Sequence, residues 1–185
     1  MITFDEVMKL TRTVSSETAF DDAECRALYT LCSAVPVGGT VVEIGCQLGR
    51  TSSIILQCAR DRFHSIHIDP WTVQPDYYAG WCRMAHATEV PHQVMMMRTD
   101  QAHAVIGQYG LLVDLLLVDG DHTAHGVMTD MEKAAPWVRS GGVLCAHDYQ
   151  RESLPDVAEV LDKYMVEPKW EFLGVAGTLG MWRRR

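Results

Sequence analysis

The chain is poor in positive charge: 16 lysines and arginines stand against 24 aspartates and glutamates, for a net charge of −8 and an isoelectric point near 5.4. An acidic field repels phosphate, so a general nucleic-acid binder or a protein held on an anionic membrane is not expected. Arg183-Arg184-Arg185 is the one basic run, and its terminal position reads as a solvated tail. Paired cysteines are missing as well. The thiols at 25, 32, 46, 58, 82 and 145 form no C-x-x-C, which argues against zinc modules and disulfide scaffolds and for a reducing cytoplasm. No apolar run approaches the ~20 residues that span a bilayer. The acidic start Phe4-Asp5-Glu6 lacks the basic and apolar regions of a secretion leader. Nor is there a repeat, a low-complexity tract or a linker. A length of 185 residues suits one domain, 1–185, with a sizeable core and with residues 1–38 as an N-terminal helical cap.

What the chain does have is strand and helix in alternation. Helical patterns fall near 4–13 and 21–34, the second opened by Asp21 and Asp22 and closed before Pro36 and Gly38-Gly39. Strand 40–45, helix 50–61, strand 64–69, helix 76–88, strand 93–98, helix 101–108, strand 112–119 and helix 124–138 follow. Gly141-Gly142 then turns into strand 143–147, and helix 154–165 precedes a hairpin of 170–176 with 178–183. Strands 112–119 and 143–147 are apolar nearly throughout, as strands covered on both faces by helices are. The expected fold is therefore α/β: a Rossmann-like, mostly parallel seven-stranded sheet with helices on both faces and a closing antiparallel hairpin. Ligands of such a sheet lie at the carboxyl ends of its strands.

One junction concentrates the functional signal. The apolar run Val41-Val42-Glu43-Ile44 ends at Gly45, passes Cys46, Gln47 and Leu48, and enters a helix after Gly49. Glycines there leave room for backbone to approach a ligand, and the amides opening the helix make a partly positive concave site. Gln47 stands where a dinucleotide fingerprint needs its second glycine, which counts against a nicotinamide oxidoreductase. The next strand, Phe63-His64-Ser65-Ile66-His67-Ile68, stops on Asp69, 24 residues after Gly45 (69 − 45 = 24). A carboxylate at about that distance is placed to accept both hydroxyls of an adenosine ribose. Glu-x-Gly-x-x-x-Gly resembles the first motif of class I S-adenosylmethionine-dependent methyltransferases. The resemblance implies cofactor contacts at Glu43, Gly45, Cys46, Gln47 and Gly49, at Asp69, at Thr99 and Asp100 after the third strand, and at Asp119. Within that set Glu43 is expected to brace the loop, and Asp100 to serve equally as an N-cap for helix 101–108.

Two further strand ends carry chemistry. Leu115-Leu116-Leu117-Val118 runs into Asp119-Gly120-Asp121-His122, and Val143-Leu144-Cys145-Ala146 runs into His147-Asp148-Tyr149. Adjacent parallel strands thus bring Asp119, His147 and Asp148 to one edge, where three donors suit a divalent cation. Asp-Gly-Asp-His-Thr at 119–123 followed by Ser-Gly-Gly-Val-Leu-Cys-Ala-His-Asp-Tyr at 140–149 is similar to a small methyltransferase branch. That branch includes the metal-dependent sugar O-methyltransferases of macrolide and aminocoumarin biosynthesis and the cephalosporin hydroxylase-like proteins. The resemblance implies a metal held by Asp119 and by the pair His147 and Asp148 beside the acceptor hydroxyl. The branch has a carboxylate where this chain has His147. Imidazole suits manganese, zinc, cobalt or nickel better than magnesium, so another ion, two carboxylates alone, or no metal all stay open.

The function expected is methyl transfer from S-adenosylmethionine to a hydroxyl of a small molecule or sugar, with Asp119, His122 and Asp121 as the catalytic candidates. His122 or His147 is placed to take the proton; without a metal, Asp121 or His122 leads. His125 reads as exposed on the first helical turn, and His64, His67, His86, His92 and His103 have no partner legible in the sequence. Trp71, Tyr77, Tyr78, Trp81 and Met84 follow Asp69 directly. Tyr77, Trp81, Met84 and Ala85 recur at helical spacing and are expected on a core or a dimer partner, with a partial substrate lid as the lesser reading. A metal-dependent hydrolase would use Asp119, Asp121, His122, His147 and Asp148 but leaves the glycine turn and Asp69 idle; a binding domain without catalysis is the other alternative.

Overall fold

A computed structural model describes residues 2–14, 20–72, 74–166 and 168–185. Helices α1 (Phe4–Val14) and α2 (Asp22–Ala34) come first. They are followed by β1 (Thr40–Ile44), α3 (Arg50–Ala59), β2 (His64–Ile68), α4 (Pro75–Thr88), β3 (Gln93–Met95), α5 (Thr99–Ile106) and β4 (Val113–Val118). The chain continues through α6 (Ala124–Ala134), β5 (Val138–Ala146), α7 (Pro155–Tyr164), β6 (Trp170–Ala176) and β7 (Leu179–Arg184). The seven strands lie in the order β3-β2-β1-β4-β5-β7-β6. All neighbours are parallel except β7, which runs antiparallel to both β5 and β6. This is the Rossmann-like, mostly parallel seven-stranded sheet expected from the alternating pattern, closing hairpin included.

Strand pleating divides the core into two layers. Leu115 and Leu117 of β4 pack with Val7, Leu28, Ile54 and Trp81 from α1 to α4, whereas Leu116 and Val118 pack with Ala102, Met131 and Leu161 from α5 to α7. Because both faces are covered, β1 and β4 are buried at nearly every position and show no polar alternation. The chain reverses its strand order between β1 and β4. The crevice outside their carboxyl ends is where an open α/β sheet takes its ligands.

Local departures from the expected elements have local causes. β3 spans only Gln93–Met95, and α5 starts at Thr99, two residues earlier than expected, with the Arg98 amide donating to Gln101 Oε1 at 3.1 Å. Asp100 therefore sits inside the first turn and is not the N-cap. α6 stops at Ala134 and passes into a 3-10 turn around Pro136, whose ring and missing N–H cannot continue an α-helix. Gly141-Gly142 does not open β5, because the strand already begins at Val138. The glycines lie at a register shift opposite Val113/Leu115, where a Cβ on Gly142 would sit 3.0 Å from the Val113 carbonyl oxygen. Among the described residues, no helix is long and apolar enough to cross a membrane.

Candidate active site

The glycine loop is built from the strands upward. Gly45 donates its amide to Ile68 O at 2.9 Å, and Asp119 donates to Ile44 O at 2.8 Å, so the sheet pairing runs to the very edge of the crevice. Gly45 has φ +83°, and a Cβ there would lie 1.8 Å from the carbonyl oxygen of Asp119. Gly49 has φ +89°, and its Cβ would lie 2.3 Å from Met84 Cε. Expected to clear space for a ligand, these glycines also permit close packing of the chain on itself. Gly45 still lines the crevice; Gly49 faces α4 and does not.

Glu43 lies beneath the loop, fully buried. It accepts hydrogen bonds from Thr51 Oγ1 and from Ser52 Oγ (2.5 Å), and pairs with His67 Nδ1 at 2.6 Å. A carboxylate with no access to water needs such partners. Glu43 thus braces the start of α3 as expected but does not itself reach the crevice, and His67, which had no partner in the sequence, is that brace's other half. Asp69 holds the loop from the second strand. Its Oδ2 accepts the amides of Cys46 (2.8 Å) and Gln47 (3.0 Å), and its Oδ1 accepts the amide of Trp71 at 2.6 Å. A carboxylate offers about four acceptor positions, so these three amides leave Asp69 acceptor capacity toward the crevice it lines. Gln47 and Trp71 both take left-handed backbone (φ +46° and +45°), and Trp71 Nε1 donates to Gln47 O at 2.9 Å.

The glycine loop and Asp69 border one cavity of about 670 Å³. Cys46, Gln47, Asp69 and Trp71 line it near β1 and β2, Thr99, Asp100 and Asp130 near α5 and α6, and Asp119, His122, His147 and Asp148 near β4 and β5. Trp81, Met84 and Ala85 are buried against α3, with Trp81 Nε1 donating to Ser52 Oγ at 2.8 Å. The α4 stripe is therefore core of this same chain, and from the insert Trp71 and Tyr77 reach the cavity. Asp130 was not singled out as a site residue, yet its carboxyl is buried and lines the cavity beside Thr99. Burial pushes it up to about 6 against the opposing hydrogen bond from Thr99.

At the far side two imidazoles face the same two carboxylates. His122 Nε2 lies 3.3 Å from Asp119 Oδ1 and 3.1 Å from Asp148 Oδ2; His147 Nδ1 lies 3.3 Å and 3.6 Å from the same atoms. Asp119, His122 and Asp148 each place one donor within 4.8 Å of the others. Of the expected trio Asp119, His147 and Asp148, this group keeps the two carboxylates and has His122 in place of His147, whose Nδ1 lies against both from the buried side. Burial disfavours charge on His147, but the contacts with Asp119, Asp148 and Glu24 outweigh it and push the imidazole up to about 11. Burial would raise Asp148, yet His147 and Arg151, whose Nη1 donates at 2.7 Å, bring it down to about 2. Asp121 lines the same cavity but is tied to its own turn. Its Oδ1 accepts the Thr123 amide at 2.9 Å, and that bond holds its carboxyl below the ordinary value. His125 is exposed on the first turn of α6, as expected.

Residues 42–149, more than half of the chain, match a family profile described as a methyltransferase domain. The chain belongs to the methyltransferase-domain family. Its fold places this methyltransferase among the class I S-adenosylmethionine-dependent enzymes, and S-adenosylmethionine is its cofactor. The solved structure of a calicheamicin-biosynthesis enzyme, the TDP-rhamnose 3'-O-methyltransferase CalS11, superposes with a TM-score of 0.69 at 13% identity, covering 99% of this chain and 96% of that one. An O-methyltransferase from Bacillus cereus in complex with SAH gives 0.70 at 14% identity, over 98% and 90% of the two chains. A cofactor-bound protein from MTB gives 0.77 at 13% identity, over 98% and 88%. At these identities the methyltransferase shares the fold of its structural neighbours. A search of the curated proteins finds no match.

Proposed function

We propose that the protein transfers a methyl group from S-adenosylmethionine to a hydroxyl of a small molecule or sugar, at a divalent ion held by Asp119, His147 and Asp148. The observation that carries this reading is the single cavity that joins the Asp69-held glycine loop to the two-carboxylate, two-imidazole cluster. Its volume of about 670 Å³ is in the range of small-molecule sites, with space for an acceptor beside a nucleoside. Two of the structural neighbours are named as O-methyltransferases, one of them for a sugar nucleotide, which supports oxygen as the acceptor atom.

The cofactor supplies an electrophilic methyl group, and a divalent ion lowers the pKa of a hydroxyl bound to it. The chain supplies position and a proton acceptor. Asp69 takes one ribose hydroxyl at its open Oδ1 position, while Cys46 and Gln47 keep the loop closed around that carboxylate. Thr99, Asp100 and Asp130 border the base end. Asp119, Asp148 and His147 meet the requirement for oxygen and nitrogen donors in close array, a set that favours manganese, cobalt or zinc over magnesium. The two imidazoles divide the work by exposure: the His147 side chain is 2% exposed and suits a fixed ligand once an ion takes the place of its Nδ1 proton, whereas His122, at 39%, is held protonated by Asp119 and becomes the acceptor of the hydroxyl proton only when an ion neutralises the two carboxylates.

The test is transfer of labelled methyl from S-adenosylmethionine to a panel of sugar nucleotides and catechols, with manganese, cobalt or magnesium and with chelator. Ion-dependent product on a hydroxyl is expected. Full activity in chelator, with Asp148→Asn equally active, removes the ion; product on nitrogen or carbon removes the hydroxyl.

A further inference from the structure

We infer that Glu24, carried by α2 near the start of the chain, is the outer carboxylate that orients His147 toward the ion. The inference rests on the ion site proposed above and extends it to a part of the chain outside the matched methyltransferase segment. His147 is 4% exposed, and its ring is strung between acids on both sides. Nδ1 faces Asp119 and Asp148, while Nε2 lies 3.4 Å from Glu24 Oε2. That Nε2 is buried and has no aligned hydrogen-bond partner, an arrangement proteins rarely leave uncorrected. A ring that binds an ion through one nitrogen characteristically gives its other N–H to a carboxylate, which fixes tautomer and orientation. Glu24 is the side chain standing at that second nitrogen.

Two other contacts make the arrangement rigid. Phe20 stacks on the imidazole with centroids 4.2 Å apart and planes at 19°, so the ring cannot turn away. Glu24 is itself pinned: Oε1 accepts the Thr178 amide (2.7 Å) and hydroxyl (2.9 Å), and Oε2 accepts the Asp21 amide at 2.7 Å. The cap of α2 and the β6–β7 hairpin therefore converge on the carboxylate that sets His147. A nitrogen ligand held in this way favours a first-row transition ion, and it makes the ion site depend on the N-terminal segment.

The experiment is cobalt(II) titration of the full chain by calorimetry and by its visible absorption, comparing wild type with Glu24→Gln and Glu24→Asp, and with S-adenosylhomocysteine affinity measured beside it. Wild type is expected to bind cobalt, Glu24→Gln to bind it about 10- to 100-fold more weakly, Glu24→Asp to fall between, and S-adenosylhomocysteine affinity to stay unchanged. Since Glu24 also caps Thr178, a Glu24→Gln chain that does not fold is answered on wild type by ¹⁵N NMR of the zinc-loaded protein. A protonated Nε2 and an ion-bound Nδ1 at His147 are expected there, and an ion-bound Nε2 overturns the inference. Equal cobalt affinity in folded Glu24→Gln overturns it while leaving the ion site intact. No uptake of cobalt by wild type overturns both.

Discussion

His122 Nε2 lies 3.1 Å from Asp148 Oδ2, so the loop after β4 and the loop after β5 meet at one charged point in the cavity wall. His147 approaches the same oxygen from the buried side at 3.6 Å. Two histidines on one pair of carboxylates, one wet and one dry, are the feature most open to dissection by mutation. His122→Gln is expected to lower kcat by about 10²- to 10⁴-fold, the range of a lost general base, with cobalt affinity within a few-fold of wild type. His147→Gln is expected to lose cobalt. Calorimetry and steady-state rates on the same preparations check the split, and the reverse pattern would exchange the two roles.

His147→Asp replaces a nitrogen donor by a hard oxygen donor and leaves Glu24 facing another acid. The ratio of magnesium-supported to cobalt-supported methyl transfer is expected to rise. An unchanged ratio would show that His147 does not touch the ion.

Asp69→Ala removes both the proposed ribose contact and the acceptor of three loop amides. S-adenosylhomocysteine binding should weaken by about 1.5–3 kcal/mol, the scale of hydrogen bonds to a charged group, or roughly 10- to 150-fold. Isothermal titration reads it directly. An affinity equal to wild type would remove Asp69 from the cofactor site.

Gly45→Ala is expected to act on the fold before it acts on the cofactor. At φ +83° an alanine carries about 1–2 kcal/mol of left-handed strain, and its Cβ would meet the Asp119 carbonyl at 1.8 Å. Thermal unfolding of the ligand-free protein should therefore drop by several degrees. A normal melting temperature with cofactor binding lost would restore a direct ligand role.

Asp130 gives a pH test. Burial raises its folded-state pKa to about 6 from an ordinary 3.8. Between those values the folded chain keeps a proton that the unfolded chain has released, so stability falls as pH rises through the window, and the loss is complete above about 6. Asp130→Asn carries no such loss. Urea unfolding at pH 4 and pH 7 should show wild type losing ground against the variant on going to the higher pH; parallel behaviour would mean that Asp130 ionises normally.

The sequence by itself determined the α/β class, the strand edges that carry chemistry and the closing hairpin, because burial on both faces writes continuous apolar runs and each run ends where a turn must begin. It also pointed to Asp69, Asp119, His147 and Asp148, since residues at the carboxyl ends of parallel strands are brought together by any sheet of this kind. Only the tertiary structure decided what those residues touch. Gly45 and Gly49 read as ligand clearance, and their missing Cβ atoms also make way for Asp119 and Met84, neighbours that no spacing reveals. Glu43 found His67 in the next strand through the register that aligns them. Glu24 met His147 because α2 and the β6–β7 hairpin fold onto the end of β5, and Asp130 became a titrating cavity residue because the turn of α6 that carries it is buried beside Thr99. Periodicity encodes which face of an element is dry; which atoms meet across two dry faces depends on register and packing, and those exist only in the folded chain.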